Sequence, residues 1–167
     1  MPKAKFVLLS ALTLLPLLAL PTARADDVNC SGTLSGRTID GDVTVRRGTT
    51  CTLVNVRVDG NVKVERGASV TIRNTRVDGN VDSDDGFARI TVLNSVVDGN
   101  IEAERGGSAD IQNTRVNGNI ELERNSGTLR VSRVTLDGDL KCEDNARTPV
   151  GGNNRVNGDR EGQCRRL

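Results

Sequence analysis

Val58-Asp59-Gly60-Asn61-Val62 is followed by Val77-Asp78-Gly79-Asn80-Val81, and that by Val97-Asp98-Gly99-Asn100-Ile101. The same mark begins earlier, at Ile39-Asp40-Gly41-Asp42-Val43. It runs on through Val116-Asn117-Gly118-Asn119-Ile120 and Leu136-Asp137-Gly138-Asp139-Leu140 to a weaker Val156-Asn157-Gly158-Asp159. The seven glycines, Gly41, Gly60, Gly79, Gly99, Gly118, Gly138 and Gly158, stand 19 or 20 residues apart throughout. Spacing this even means that one structural unit is copied almost without insertion.

Aligning the copies on the glycine gives each column a physical meaning. Two positions before it stand Ile39, Val58, Val77, Val97, Val116, Leu136 and Val156; two after it stand Val43, Val62, Val81, Ile101, Ile120 and Leu140. Further aliphatic columns lie seven before (Leu34, Leu53, Ile72, Val92, Ile111, Val131) and nine before (Cys51, Val70, Ile90, Ala109, Leu129). Apolar and polar residues alternate with period two, and the apolar ones are mostly β-branched, which spells strands with one buried face. A unit so short cannot bury its apolar side alone, whereas stacked copies make every column continuous. The expectation is all-β, a right-handed parallel β-helix of about six to seven coils, roughly 30 Å long at about 4.8 Å per coil.

Five positions before the glycine runs a polar column, Asn55, Asn74, Asn94 and Asn113, interrupted by Arg133 and resumed at Asn153. Stacked asparagines at an inward turn can satisfy one another along the axis, so the column is expected to be a structural ladder. The repeat glycines are expected at corners where φ is positive or where backbones pack closely. Cys30 and Cys51 bracket the first coil, and Cys142 and Cys164 the last. Each pair is separated by about one coil, so of the three possible connectivities Cys30–Cys51 with Cys142–Cys164 is expected. The repeat core then covers about residues 32–145, and residues 146–167 form a capping segment. Capped ends keep open sheet edges from pairing with other copies, which favours a monomer.

Residues 1–25 read as a signal peptide. Lys3 and Lys5 precede an apolar run from Phe6 to Leu20, and Ala23-Arg24-Ala25 is a small-x-small cleavage site. The run is too short to span a bilayer, and no later stretch is long and apolar enough, so no membrane span is expected. The mature domain, residues 26–167, would be periplasmic or extracellular. Of the chain's 23 basic and 22 acidic residues, Lys3, Lys5 and Arg24 lie in the leader, which leaves the domain slightly acidic. Histidine, tyrosine and tryptophan are absent, and Phe87 is the one aromatic residue after the leader. Histidine chemistry and stacking platforms for bases or sugars are thereby excluded, and no nucleic-acid partner is expected.

The chain resembles small exported bacterial proteins of the parallel β-helix repeat type. The likeness rests on the coils and on a C-terminal pattern, Cys142-x-x-Asn145, Pro149-x-Gly151-Gly152-x-Asn154, Val156-x-Gly158 and Gln163-Cys164. It implies the fold and export and carries over no catalytic residue. A more distant likeness to the polymer-forming bactofilins stops at the ends, because those proteins lack a signal peptide and disulfide caps.

Function must therefore be sought on the surface columns. Positions three and five after the glycine carry Asp82, Glu102 and Glu121, and Glu65, Asp84, Glu104, Glu123 and Glu143, with Arg47, Arg66, Arg105 and Arg124 beside them. This acidic face reads either as a solvated surface of ion pairs or as a site for calcium or a polycation using Glu102, Glu104, Glu121 and Glu123. Arg57, Arg76, Arg115 and Arg155 lie beside Asp59, Asp78, Asn117 and Asn157, which suggests structural pairing before anionic-glycan binding. Glu102 and Glu121 would have the spacing of a retaining glycosidase pair, but any acidic column on a solenoid gives it, and no loop insertion walls a cleft. An ice-binding face needs an outward threonine array, for which Thr75 and Thr114 are too few. The reading is a non-catalytic exported structural or binding module without a cofactor, its partner an envelope polymer or another exported protein. Calcium binding and polysaccharide cleavage are the alternatives.

Overall fold

The computed structural model describes residues 26–167; the leader expected over residues 1–25 lies outside them. The chain winds as a parallel β-solenoid of about seven coils in which each coil gives one strand to each of three sheets. One coil shows the plan: Val62–Val64 in a first sheet of eight strands, Ser69–Arg73 in a second of seven, and Arg76–Val77 in a third of seven. Every pairing is parallel and joins residues one coil apart, as in Val62 with Val81 and Val70 with Ile90. The segment 146–167 adds a coil of its own, with strands Val150–Gly152, Arg155–Val156 and Arg160–Gly162 paired to the coil before.

The four aliphatic columns face the axis. Val43, Val62, Val81, Ile101, Ile120 and Leu140 are fully buried, as are Leu53, Ile72, Val92, Ile111 and Val131. Each such side chain stabilises the rod by about 1.5–3 kcal/mol relative to exposure. Both end coils are stapled as expected: Cys30 is bonded to Cys51 and Cys142 to Cys164, with Cα–Cα distances of 5.6 and 5.3 Å.

The structure corrects the expected asparagine ladder. Asn55, Asn74, Asn94 and Asn113 are exposed and point away from the core. They turn the corner between the second and third sheets with φ of 53°, 49°, 50° and 49°, and Arg133 and Asn153 do the same at 53° and 58°. Asparagine recurs here because its short polar side chain tolerates left-handed backbone better than other residues with a Cβ. The axial ladder lies instead on the residue after the repeat glycine. Asp42 Oδ1 accepts the Asn61 N–H at 2.7 Å, and Asn61 Oδ1 accepts the Asn80 N–H at 2.9 Å. The chain of bonds continues through Asn100, Asn119 and Asp139 to the Asp159 N–H.

This ladder also explains the repeat glycines, which satisfy the close-packing alternative of the expectation and not the positive-φ one. A Cβ on Gly60 would stand 2.6 Å from the Gly41 carbonyl oxygen, and one on Gly138 the same distance from that of Gly118, with the ladder oxygens closer still. Thr75 and Thr114 are buried rather than outward. With Ser95 they form an inner hydroxyl column in which Ser95 Oγ accepts the Thr75 N–H at 3.1 Å and donates to the Leu93 carbonyl at 2.8 Å. A second inner polar column closes the C-terminal end. Asn145 Oδ1 accepts the Asn125 N–H at 2.9 Å, and Gln163 Oε1 accepts the Asn145 N–H at 3.0 Å.

Candidate functional site

The outward columns of the three sheets give three surfaces. On the first sheet the column three after the glycine reads Lys63, Asp82, Glu102, Glu121 and Lys141, each in register with the next. Three stacked carboxylates are thus bounded by a lysine at either end. The Asp82 carboxyl is raised above its ordinary pKa by loss of solvent and then by Glu102, and Glu121 is raised by the same two causes. Asp82 Oδ1 has no hydrogen-bond partner among the described residues, whereas Glu102 Oε1 accepts from Asn100 Nδ2 at 3.0 Å.

The neighbouring acidic column is mostly paired. Glu123 is buried at 8% exposure, held by Lys141 Nζ at 2.5 Å and Arg124 Nη2 at 3.1 Å. The hydrogen bond to Glu123 holds the Lys141 ammonium above its ordinary pKa. Glu104 lies 3.7 Å from Arg105, Asp84 lies 4.0 Å from Lys63, and Glu65 accepts the Arg47 backbone N–H at 2.8 Å. Of the four carboxylates singled out for a cation, Glu102 and Glu121 share one column, while Glu104 and Glu123 lie in the next, occupied by basic partners. Among the described residues no group of three or more acidic side chains is placed to hold a metal ion.

The third sheet carries a bridging network. Arg57 Nε donates to Asp59 of its own coil at 2.7 Å, and Nη2 to Asp78 of the next. Arg76 does likewise, with Nε to Asp78 at 2.8 Å and Nη2 to Asp98. Arg115 joins Asn117 at 2.9 Å to Asp137 at 2.8 Å. The arginines therefore link coils along the rod, a connection that coil spacing contains but sequence adjacency hides.

The second sheet carries a column that the sequence reading passed over. Thr33, Thr52, Thr71 and Thr91 stand in register on its outer side, followed by Asp110. Their signal is the constant place eight residues before the repeat glycine. Among the described residues no helix is long and apolar enough to cross a membrane. Compared with protein-family models, with curated proteins and with solved structures, the chain matches none.

Proposed function

We propose that this chain is an exported, non-catalytic structural or binding module of a bacterial envelope or exterior. The observation that carries the reading is the pair of disulfides, one in each end coil. Such bonds persist in oxidising surroundings and restrain a solenoid where it would otherwise fray. The coil-to-coil bridges of Arg57, Arg76 and Arg115 add support, because they tie the outward charges of one side into the rod. The resemblance to exported bacterial β-helix proteins agrees with it, and the partner is an envelope polymer or another exported protein.

The test is expression of the full chain with its own leader in a bacterial host, followed by fractionation and N-terminal sequencing. A mature chain beginning at Asp26, found oxidised outside the cytoplasm and leaving acidic polysaccharides uncut, is the expected result. Cytoplasmic chain with reduced cysteines, or polymer cleavage lost on Glu102→Gln and Glu121→Gln, would overturn it.

A further inference from the structure

The corner between the second and third sheets, over the first three coils, forms an open groove of about 540 Å³. Its walls include Arg37, Arg57, Arg76, Asn55 and Asn74, and no acidic side chain lines it. Building on the module reading, we infer that this groove binds a carboxylate-bearing polysaccharide laid along the rod axis.

Two of the three guanidiniums are already oriented. Arg57 and Arg76 each spend Nε and Nη2 on carboxylates of two successive coils, which leaves Nη1 with no partner among the described residues. A guanidinium has five N–H donors in a rigid fork, so a side chain clamped on one edge still offers donors on the other at small entropic cost. Arg37 is exposed and makes no ion pair among the described residues, so its guanidinium is not engaged by the fold. The carboxamides of Asn55 and Asn74 are exposed at φ of 53° and 49° and make no hydrogen bond of their own within the described residues. Each therefore offers a donor and an acceptor to a sugar hydroxyl.

The repeat sets the ligand class. Arg57 and Arg76 are in register one coil apart, about 4.8 Å, a step close to one residue of an extended sugar chain. Phe87 is buried, so among the described residues no aromatic face is present to stack on a neutral sugar or a base, and affinity must come from charge and hydrogen bonds. A polymer with one carboxylate per sugar meets both conditions. Thr38 holds the arginine position in the first coil and Val96 in the fourth, which limits the arginines in register here to Arg57 and Arg76, with Arg37 beside them.

The experiment is calorimetric titration of the oxidised chain with oligogalacturonate, with the same oligomer after reduction of its carboxyls, and with single-stranded DNA. Saturable binding of the uronate alone, weakening as salt is raised, is expected. A variant carrying Arg37→Ser, Asn55→Gly and Asn74→Gly keeps residues that accept positive φ at the corner and should melt close to the parent. It should lose about tenfold or more in affinity. Arg115→Ala, in the same column beyond the groove, should bind as the parent does. The inference is overturned by no saturable uronate binding, by equal binding of the reduced oligomer or of DNA, or by an unchanged affinity in the triple variant. A chain that is exported and cuts no polymer yet binds no uronate would overturn the ligand and leave the module reading standing; cleavage of the oligomer would overturn both.

Discussion

Asn117 Nδ2 donates to Asp98 Oδ1 at 2.8 Å, across a coil step where the bridging arginine is missing. Val96 occupies the arginine position there, between Arg76 and Arg115. The same exchange recurs two coils on. Thr135 replaces the arginine, and Asn157 Nδ2 donates to Asp137 Oδ1 at 2.9 Å. At both steps a carboxamide stands where an unbridged second carboxylate would face the first. Among the described residues, only beside Thr38, where Asp40 and Asp59 are both exposed, does the column do without either device.

This relationship predicts a paired effect. In an Arg115→Gln background, which removes the Nε bond to position 117, Asn117→Asp sets two carboxylates against each other and should cost roughly 0.5–1 kcal/mol, more at low salt than at high. Adding Val96→Arg should restore most of the loss, because the new guanidinium reaches both coils as Arg76 does. A double-mutant cycle by urea unfolding measures the coupling, and additive effects would refute the bridge.

The glycines divide into two kinds that one substitution separates. Gly99→Ala would place a Cβ 2.8 Å from the Gly79 carbonyl oxygen, a clash of backbone against backbone. Loss of more than about 3 kcal/mol, or failure to fold, is expected. Gly36→Ala meets nothing within 4 Å and bears only its φ of +60°, so about 1–2 kcal/mol is expected. Chemical denaturation of both variants checks the order.

Arg133 holds the left-handed corner that asparagine holds in the coils before it, at φ 53°. Arg133→Asn should raise stability by a few tenths of a kcal/mol to about 1 kcal/mol, since asparagine tolerates this backbone better. Its contact with Asn113 Oδ1 is exposed and contributes little. A fall in melting temperature would count against the backbone account.

Glu121 has a pKa raised in the folded chain, so its charged form opposes folding above that value and its protonated form does not. Stability from this group is present in acid, below the ordinary glutamate range, and is lost as pH rises through the folded value. Glu121→Gln should therefore melt higher than the parent at neutral pH, and the two curves should converge in acid. A constant difference across the pH range would exclude the stacked carboxylates as its cause.

Reducing the disulfides should act from the ends inward. They close sequence separations of 21 and 22 residues, for which chain entropy gives about 3 kcal/mol each. Hydrogen exchange on the reduced chain should speed up in the first and last coils before the middle ones. Uniform acceleration would mean that the bonds do more than restrain the ends.

The repeat period and the strands could be read from spacing alone, because a stacked coil brings residues 19 or 20 apart together whatever its cross-section. Spacing also paired the cysteines, although Cys30 is in register with Val45 in the first sheet and Cys51 with Gly32 in the second, so that bond joins two sheets through the core and not two stacked positions. Reading direction across a corner failed. Arg73 and Asn74 are successive outward residues, and Thr75 then turns in, so the alternation that holds within a strand is reset at the corner by the left-handed residue. That reset misplaced the asparagine ladder and sent Thr75 and Thr114 outward in the sequence reading. Asn125 and Asn145 share a place seven after the glycine, a signal present in the sequence but hidden among the polar residues of a turn.

By itself, then, the sequence determined that this chain stacks parallel strands in a stapled rod, since burial of the aliphatic face of each strand follows from period and composition. Only the tertiary structure decided which polar column runs along the axis, which glycines lack room for a Cβ, and which charges join across coils. These depend on the sign of φ at three corners and on distances between neighbouring coils, and neither quantity is fixed by the order of residues within a single coil.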